Sequence, residues 1–208
     1  MIKIVAFDLW NTLIYHDPKY KVFSKISKTL DVKEEVFWNF MEKTWLINSK
    51  MDEKLFFTEL CKYLNKTECV DELIKIWRND RIHIYKHSKE LLEKLKKRFR
   101  LIIASNAEPY TKKILKNNGL DVYFEKIILS SGLGVLKPEK EFFIKILKIL
   151  KEKPENICVI GDSLKDDIKT PKKMGFKTML IDRNNKYGKF RGIKIKSLYQ
   201  LLNCLYNI

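Results

Sequence analysis

Asp8, Ser105, Lys137 and Asp162 stand apart from the other polar residues of this chain because each closes or follows a short apolar run. Asp8 ends IKIVAFD, and Ser105, followed by Asn106, ends LIIAS. Lys137 follows the glycine-bearing stretch SSGLGVL, and Asp162 ends ICVIGD with Asp166 and Asp167 just beyond. If those runs are strands of an open α/β sheet, ligands bind outside their carboxyl ends, and these residues converge from four separate segments. Carboxylates brought together repel one another. A hard cation such as Mg²⁺ relieves that repulsion and keeps coordination sites for water and phosphate. A nearby lysine neutralises the charge left on a nucleophilic carboxylate or a phosphoryl group. Asp8 as nucleophile suits covalent catalysis through an aspartyl intermediate, with Ser105 and backbone N–H groups holding phosphoryl oxygens.

The elements that must position these residues are legible as two alternating patterns. Ile2–Asp8, Leu101–Ser105, Lys126–Ser130, Ile157–Asp162 and Lys177–Asp182 are rich in Ile, Val and Leu on consecutive rather than alternate positions. That pattern marks strands buried on both faces, as in a parallel sheet. Between them Ser88–Lys97, Pro109–Asn118, Pro138–Leu150, Leu164–Met174 and Ser197–Leu205 carry helical periodicity. Pro109 and Pro138 sit near helix starts, where a missing N–H is harmless. Gly119 and Gly175 follow helix ends. The alternation predicts a doubly wound, Rossmann-like parallel α/β sheet with right-handed crossovers.

One block departs from it. Lys21–Leu30, Lys33–Ile47, Asp52–Leu64 and Asp71–Asn79 are all helical in pattern, with Trp38, Phe40, Trp45, Phe56, Phe57 and Trp77 among them. An insert of roughly 65 residues exceeds an ordinary crossover and predicts a small helical subdomain with an aromatic core. The expected division is an α/β core over residues 1–16 and 83–208 and a helical insert over 17–82. Lys186–Arg191 is expected to be a surface loop.

Composition narrows the function classes. The chain has 208 residues, 45% hydrophobic and 33% charged, enough for a core without disulfides or structural metal. No run approaches a membrane span, and the N-terminal segment, with Asp8 and Asn11 inside it, does not read as a signal peptide. Net charge is +16, from 42 Lys and Arg against 26 Asp and Glu. Lysine dominates and is spread through every helix, whereas groove readers favour arginine. The charge therefore predicts a solvated surface and attraction for small anionic substrates, with nucleic acid an unlikely partner. Cys61, Cys69, Cys158 and Cys204 form no CxxC pair, which fits a cytoplasmic protein. A monomer and a homodimer both remain open.

In order, VAFDLWNTL, LIIASN, GVLKPEKEFF and VIGDSLKDDI resemble the four motifs of the haloacid dehalogenase-like (HAD) hydrolases. The resemblance covers essentially the whole chain, and the helical insert is similar to that family's cap. It implies a Mg²⁺-dependent phosphatase acting on a small phosphorylated metabolite. By this resemblance Asp8 is the nucleophile and Thr12 supports its loop. Ser105, Asn106 and Lys137 bind the phosphoryl group. The metal ligands implied are Asp8, the Trp10 main-chain carbonyl, Asp162 and, mostly through water, Asp167.

Trp10 is the departure. The phosphatases of the family carry Asp there as general acid and base, a role indole does not fill. An aromatic at that position together with Ser105-Asn106 also resembles the family's 2-haloacid dehalogenases. Those carry an early cap arginine, and this chain has none before Arg78. A slow phosphatase, a non-catalytic phosphate- and metal-binding protein and a dehalogenase-like hydrolase are the three readings. His16 is expected to face the insert or solvent, and Glu108 is a remote candidate for a substitute base.

Overall fold

A computed structural model describes residues 1–205. The chain runs β1 (Ile4–Phe7), β2 (Ile14–His16), α1 (Val22–Thr29), α2 (Glu34–Lys43), α3 (Glu53–Tyr63), α4 (Val70–Arg78), β3 (Ile82–Ile84), α5 (Ser88–Leu95), β4 (Arg100–Ser105) and α6 (Thr111–Asn117). It continues through β5 (Lys126–Leu129), α7 (Ser130–Leu133), α8 (Lys140–Leu150), β6 (Ile157–Gly161), α9 (Thr170–Lys173), β7 (Lys177–Ile181), β8 (Ile193–Ile195) and α10 (Leu201–Leu205). Six strands form one parallel sheet in the order β5-β4-β1-β6-β7-β8. Helices cover both faces, which is the doubly wound α/β architecture expected from the apolar runs.

Every residue of β1 is buried, and its side chains divide between two layers. Val5 and Phe7 join the core formed with Leu91, Leu92 and Leu95 of α5. Ile4 and Ala6 join Phe142, Phe143 and Ile146 of α8 on the other face. Alternation of side chains across a strand, with apolar cover on both sides, is why the sequence shows no polar–apolar period there. Cys158 lies fully buried in β6. The central position of β1, between β4 and β6, brings the ends of these three strands side by side.

Helices α1 to α4 pack around a separate core that includes Phe37, Trp45, Phe56 and Phe57, all fully or nearly fully buried. The chain leaves the sheet region through β2 and returns through β3. These two strands pair antiparallel, with Ile14 opposite Ile84 and His16 opposite Ile82. The short β2, β3 and β8 were not anticipated, because three residues are too few to establish a period. Ser130 belongs to α7 rather than to the preceding strand. The expected helix over Leu164–Met174 is divided into a wide π-helical turn, Leu164–Lys169, and α9. No helix among the described residues is long and apolar enough to cross a membrane.

Trp45 anchors the aromatic core: it is 1% exposed, its Nε1 donates to the Met51 carbonyl at 2.9 Å, and its ring stacks on Phe56 at 4.4 Å. Trp45→Ala removes a large buried ring and leaves a cavity. It is expected to lower stability by about 3–5 kcal/mol, measured by urea unfolding.

Candidate active site

The carboxyl end of β1 delivers Asp8, and that of β4 delivers Ser105. Ser105 Oγ donates to Asp8 Oδ1 at 3.0 Å. Lys137 arrives on the loop between α7 and α8, and its Nζ donates to Asp8 Oδ1 at 2.8 Å and to Asp167 Oδ1 at 2.6 Å. The ammonium is thus enclosed between two carboxylates with its side chain only 2% exposed. Burial alone would lower the Lys137 pKa, but the charges of Asp167 and Asp8 outweigh it and hold the pKa above the ordinary lysine value. Asp8 Oδ2 takes no hydrogen bond from the described residues and is the oxygen free to meet a ligand.

Asp167 reaches the site because of the π-helical turn and the glycine before it. Its Oδ2 accepts from the Ser163 backbone N–H at 3.0 Å. A Cβ on Gly161 would lie 2.1 Å from that same oxygen, so the carboxylate folds back over a residue that must lack a side chain. Ser163 Oγ accepts from the Asp166 N–H at 3.2 Å and donates to the Asp166 carboxylate at 3.0 Å. Asp166 is therefore occupied in capping the turn. Carboxylate oxygens of Asp8, Asp162 and Asp167 lie within 4.8 Å of one another. Burial, followed by the charges of Asp8 and Asp167, raises the Asp162 pKa to about 7. Burial likewise lifts Asp167 to about 6 against the pull of Lys137. Three carboxylates facing one ammonium leave a surplus of negative charge.

These groups line a cavity of about 310 Å³ together with Trp10, Asn11, Asn106, Lys186 and Tyr187. Asn106 lines the cavity and also holds the lysine's main chain. Its Nδ2 donates to the Lys137 carbonyl at 3.0 Å, and its Oδ1 accepts from the Lys137 N–H at 2.8 Å. Thr12 is fully buried in the turn after Asp8, and its hydroxyl has no partner among the described residues.

Several residues of the site carried no recognisable signal in the sequence. Arg183, just after β7, donates through Nη1 to the Asn11 carbonyl at 2.5 Å and through Nη2 to the Thr12 carbonyl at 2.8 Å. Its guanidinium also lies 3.6 Å from the centre of the Tyr85 ring. The turn it clamps includes Asn11 in the left-handed region, at φ 57°. Lys186 and Tyr187 come from the expected surface loop, whose start is drawn inward. The buried Asp182 carboxylate accepts their backbone N–H groups at 2.7 and 3.0 Å.

Around Trp10 the insert and the sheet meet. The His16 ring stacks on the indole at 4.2 Å and 3°, and His16 Nδ1 pairs with Asp80 Oδ2 at 2.5 Å. His83 and His87 lie elsewhere, paired with Asp17 and Glu90. Glu108 is fully buried and accepts from Thr111 Oγ1 at 2.8 Å. Burial, the largest influence on it, raises its pKa.

Residues 2–175 match the family of haloacid dehalogenase-like hydrolases. The chain is 38% identical over 77 residues to glyceraldehyde 3-phosphate phosphatase of Pyrococcus furiosus, covering 37% of this chain and 30% of that protein. It is 41% identical over 91 residues to phosphoglycolate phosphatase of Aquifex aeolicus, covering 43% of this chain and 42% of that one. The matched stretches thus span less than half the length of either relative. Among solved structures, a HAD phosphatase from Thermococcus onnurineus superposes with a TM-score of 0.71 at 24% identity, covering 98% of both chains. A 2-haloacid dehalogenase from Pseudomonas syringae superposes with a TM-score of 0.73 at 20% identity, covering 100% of this chain and 99% of its own. The two structures establish a shared fold.

The raised pKa of Asp162 has a consequence for stability. In the folded protein this group holds its proton to about pH 7, and in the unfolded chain only to about pH 4. Folding therefore takes up a proton between those values, and the group's contribution to stability falls as pH rises through that window. In metal-free protein Asp162→Asn is expected to gain on the order of 1–2 kcal/mol relative to the native chain at pH 7.5, after allowance for solvent screening, and nothing at pH 4. Urea unfolding at the two pH values checks this. A difference independent of pH would mean that Asp162 is not held protonated.

Proposed function

The chain belongs to the haloacid dehalogenase-like hydrolases, and from that premise we propose that it is a Mg²⁺-dependent phosphatase of small phosphorylated metabolites. The observation that carries this reading is the buried ammonium of Lys137 between Asp8 and Asp167, with Asp162 completing the carboxylate group. Two relatives named as phosphatases support it.

The donor set fits a hard divalent cation. Its oxygens are carboxylates, they converge, and their charge exceeds what Lys137 neutralises. Asp8, Asp162 and the Trp10 carbonyl would hold the ion, with Asp167 acting through water. When bound, it would offset the repulsion between the phosphoryl oxygens and Asp8. Ser105 Oγ and Lys137 Nζ both reach Asp8 Oδ1, which keeps the carboxylate fixed and leaves Oδ2 to attack phosphorus. The bond from phosphorus to the leaving oxygen breaks as the new one forms, giving an aspartyl phosphate that water then hydrolyses. Lys137 Nζ has a third N–H to give a phosphoryl oxygen through both steps, and Ser105 turns its single hydroxyl proton from Asp8 Oδ1 to a phosphoryl oxygen once Asp8 carries the phosphoryl group. Asn106 positions Lys137, and Thr12 supports the turn behind Asp8.

Trp10 offers neither an acid for the leaving alcohol nor a base for water. The missing group costs about 10²–10⁴-fold in rate, so turnover is slow. We read residues 17–82 as a cap over the core of residues 1–16 and 83–208, excluding water when it closes. The setting is cytoplasmic, and the protein acts as a monomer or homodimer on an anionic small molecule, without nucleic acid.

Purified protein assayed on phosphomonoesters is expected to show slow release of phosphate that needs Mg²⁺ and disappears with chelator. Asp8→Asn is expected to abolish it, and Trp10→Asp to raise it by about ten-fold or more. Activity retained by Asp8→Asn would sink the covalent mechanism. Binding of Mg²⁺ and phosphate without turnover would identify a non-catalytic binding protein, and turnover of halogenated acids alone a dehalogenase.

A further inference from the structure

The main-chain carbonyls of residues 9–13, just after Asp8, are not alike. That of Leu9 accepts from the N–H groups of Thr12, Leu13 and Ile14 at 3.2, 2.8 and 3.1 Å. Those of Asn11 and Thr12 accept from the two terminal nitrogens of Arg183 at 2.5 and 2.8 Å. The Leu13 carbonyl accepts from the Tyr85 N–H at 3.0 Å and from Ser88 Oγ at 3.3 Å. Of this set the Trp10 carbonyl alone has no donor among the described residues. The turn thus presents a single free main-chain acceptor two residues after Asp8, and oxygen of this kind suits a hard cation. No strand ladder holds the turn in that shape. Asn11 has φ 57°, a conformation that is costly for a residue with a side chain. Arg183 secures it with a planar fork across two successive carbonyls. The fork is itself fixed, 3.6 Å from the centre of the Tyr85 ring. Arg183 and Asp162 line one cavity of about 440 Å³, and the charge of Asp162 reaches the guanidinium.

We infer that Arg183 is a positioning residue for the divalent cation: it fixes the turn so that the Trp10 carbonyl stays free, and it touches neither cation nor substrate. The inference rests on the Mg²⁺-dependent phosphatase reading and adds to it a residue outside the four motifs. A role by charge and a role by positioning differ in sign. A guanidinium near carboxylates repels a cation, so by charge alone its removal tightens Mg²⁺ binding. Acting through the turn, its removal weakens binding, as loss of a group that orients metal ligands does, by about 10–100-fold.

Titration calorimetry with Mg²⁺ tests this, with Asp162→Asn as the reference for a site that has lost a ligand. Arg183→Ala is expected to bind Mg²⁺ about ten-fold or more weakly than the native protein. Guanidinium chloride, far below unfolding concentrations, is expected to restore much of the loss by filling the space beside Tyr85. Sodium chloride at the same concentration is not. Arg183→Lys keeps the charge without the fork and is expected to bind more weakly than the native protein. Unchanged or tighter binding by Arg183→Ala overturns the inference, as does a loss that guanidinium leaves in place. If Arg183→Ala does not fold, Arg183→Lys decides, and native affinity in that variant overturns the inference. Turnover of p-nitrophenyl phosphate by the native protein, read separately, tests the phosphatase. Weakened Mg²⁺ binding without native turnover keeps the role of Arg183 and loses the phosphatase. Native turnover with an affinity unmoved by Arg183→Ala does the reverse, and native protein that binds no Mg²⁺ overturns both.

Discussion

The ammonium of Lys137 is the constraint on which the rest of this protein depends. A buried charge is tolerated only when it is paired and hydrogen-bonded, and this one is held by Asp8 from β1 and Asp167 from the turn after β6. Those partners belong to segments far apart in the chain, so the pairing ties the loop before α8 to the middle of the sheet. Its main chain is held too, through both polar atoms of the Asn106 amide. Leu136, the preceding residue, packs against the aromatic core of the helical insert. The same short loop therefore touches the buried carboxylates, the end of β4 and the helical insert.

The turn after Asp8 is built with comparable care. Arg183 binds two successive carbonyls there, which are acceptors that the left-handed turn at Asn11 leaves outside any strand ladder. Stacked on Tyr85, at the return from the cap, the same guanidinium joins the turn to the two-strand linker. Trp10 extends from this turn in the other direction, onto His16 of β2 and so to Asp80 at the end of the helical insert. Trp10 is thus part of the seam between the sheet and the helical insert. Its large flat surface is used for packing, and it also lines the cavity at Asp8.

The positive charge of the chain has little part in this machinery. Of its many lysines, Lys137 is the buried one among the described residues. Others form exposed pairs such as Lys62 with Glu59 and Lys94 with Glu90, which contribute little to stability. At the site itself three carboxylates face the single Lys137 ammonium.

By itself the sequence determined the parallel sheet, the helical insert and the family, because each rests on local features. Buried strands show as consecutive apolar residues and the insert as helical periodicity without strands, while the carboxylates, Ser105 and Lys137 that the fold brings together stand at the ends of apolar runs. What only the tertiary structure decided were the contacts between segments without a period or motif. Nothing local in Arg183 shows that its side chain meets the carbonyls of Asn11 and Thr12, and nothing in His16 and Asp80 announces a pair separated by the entire cap. Asn106 stood out in the sequence beside Ser105, but not that its amide would hold Lys137. The short strands β2, β3 and β8 were invisible for the related reason that their conformation is imposed by partners. Local chemistry is written along the chain; the pairing of a donor with a distant acceptor exists only once folding has brought them together.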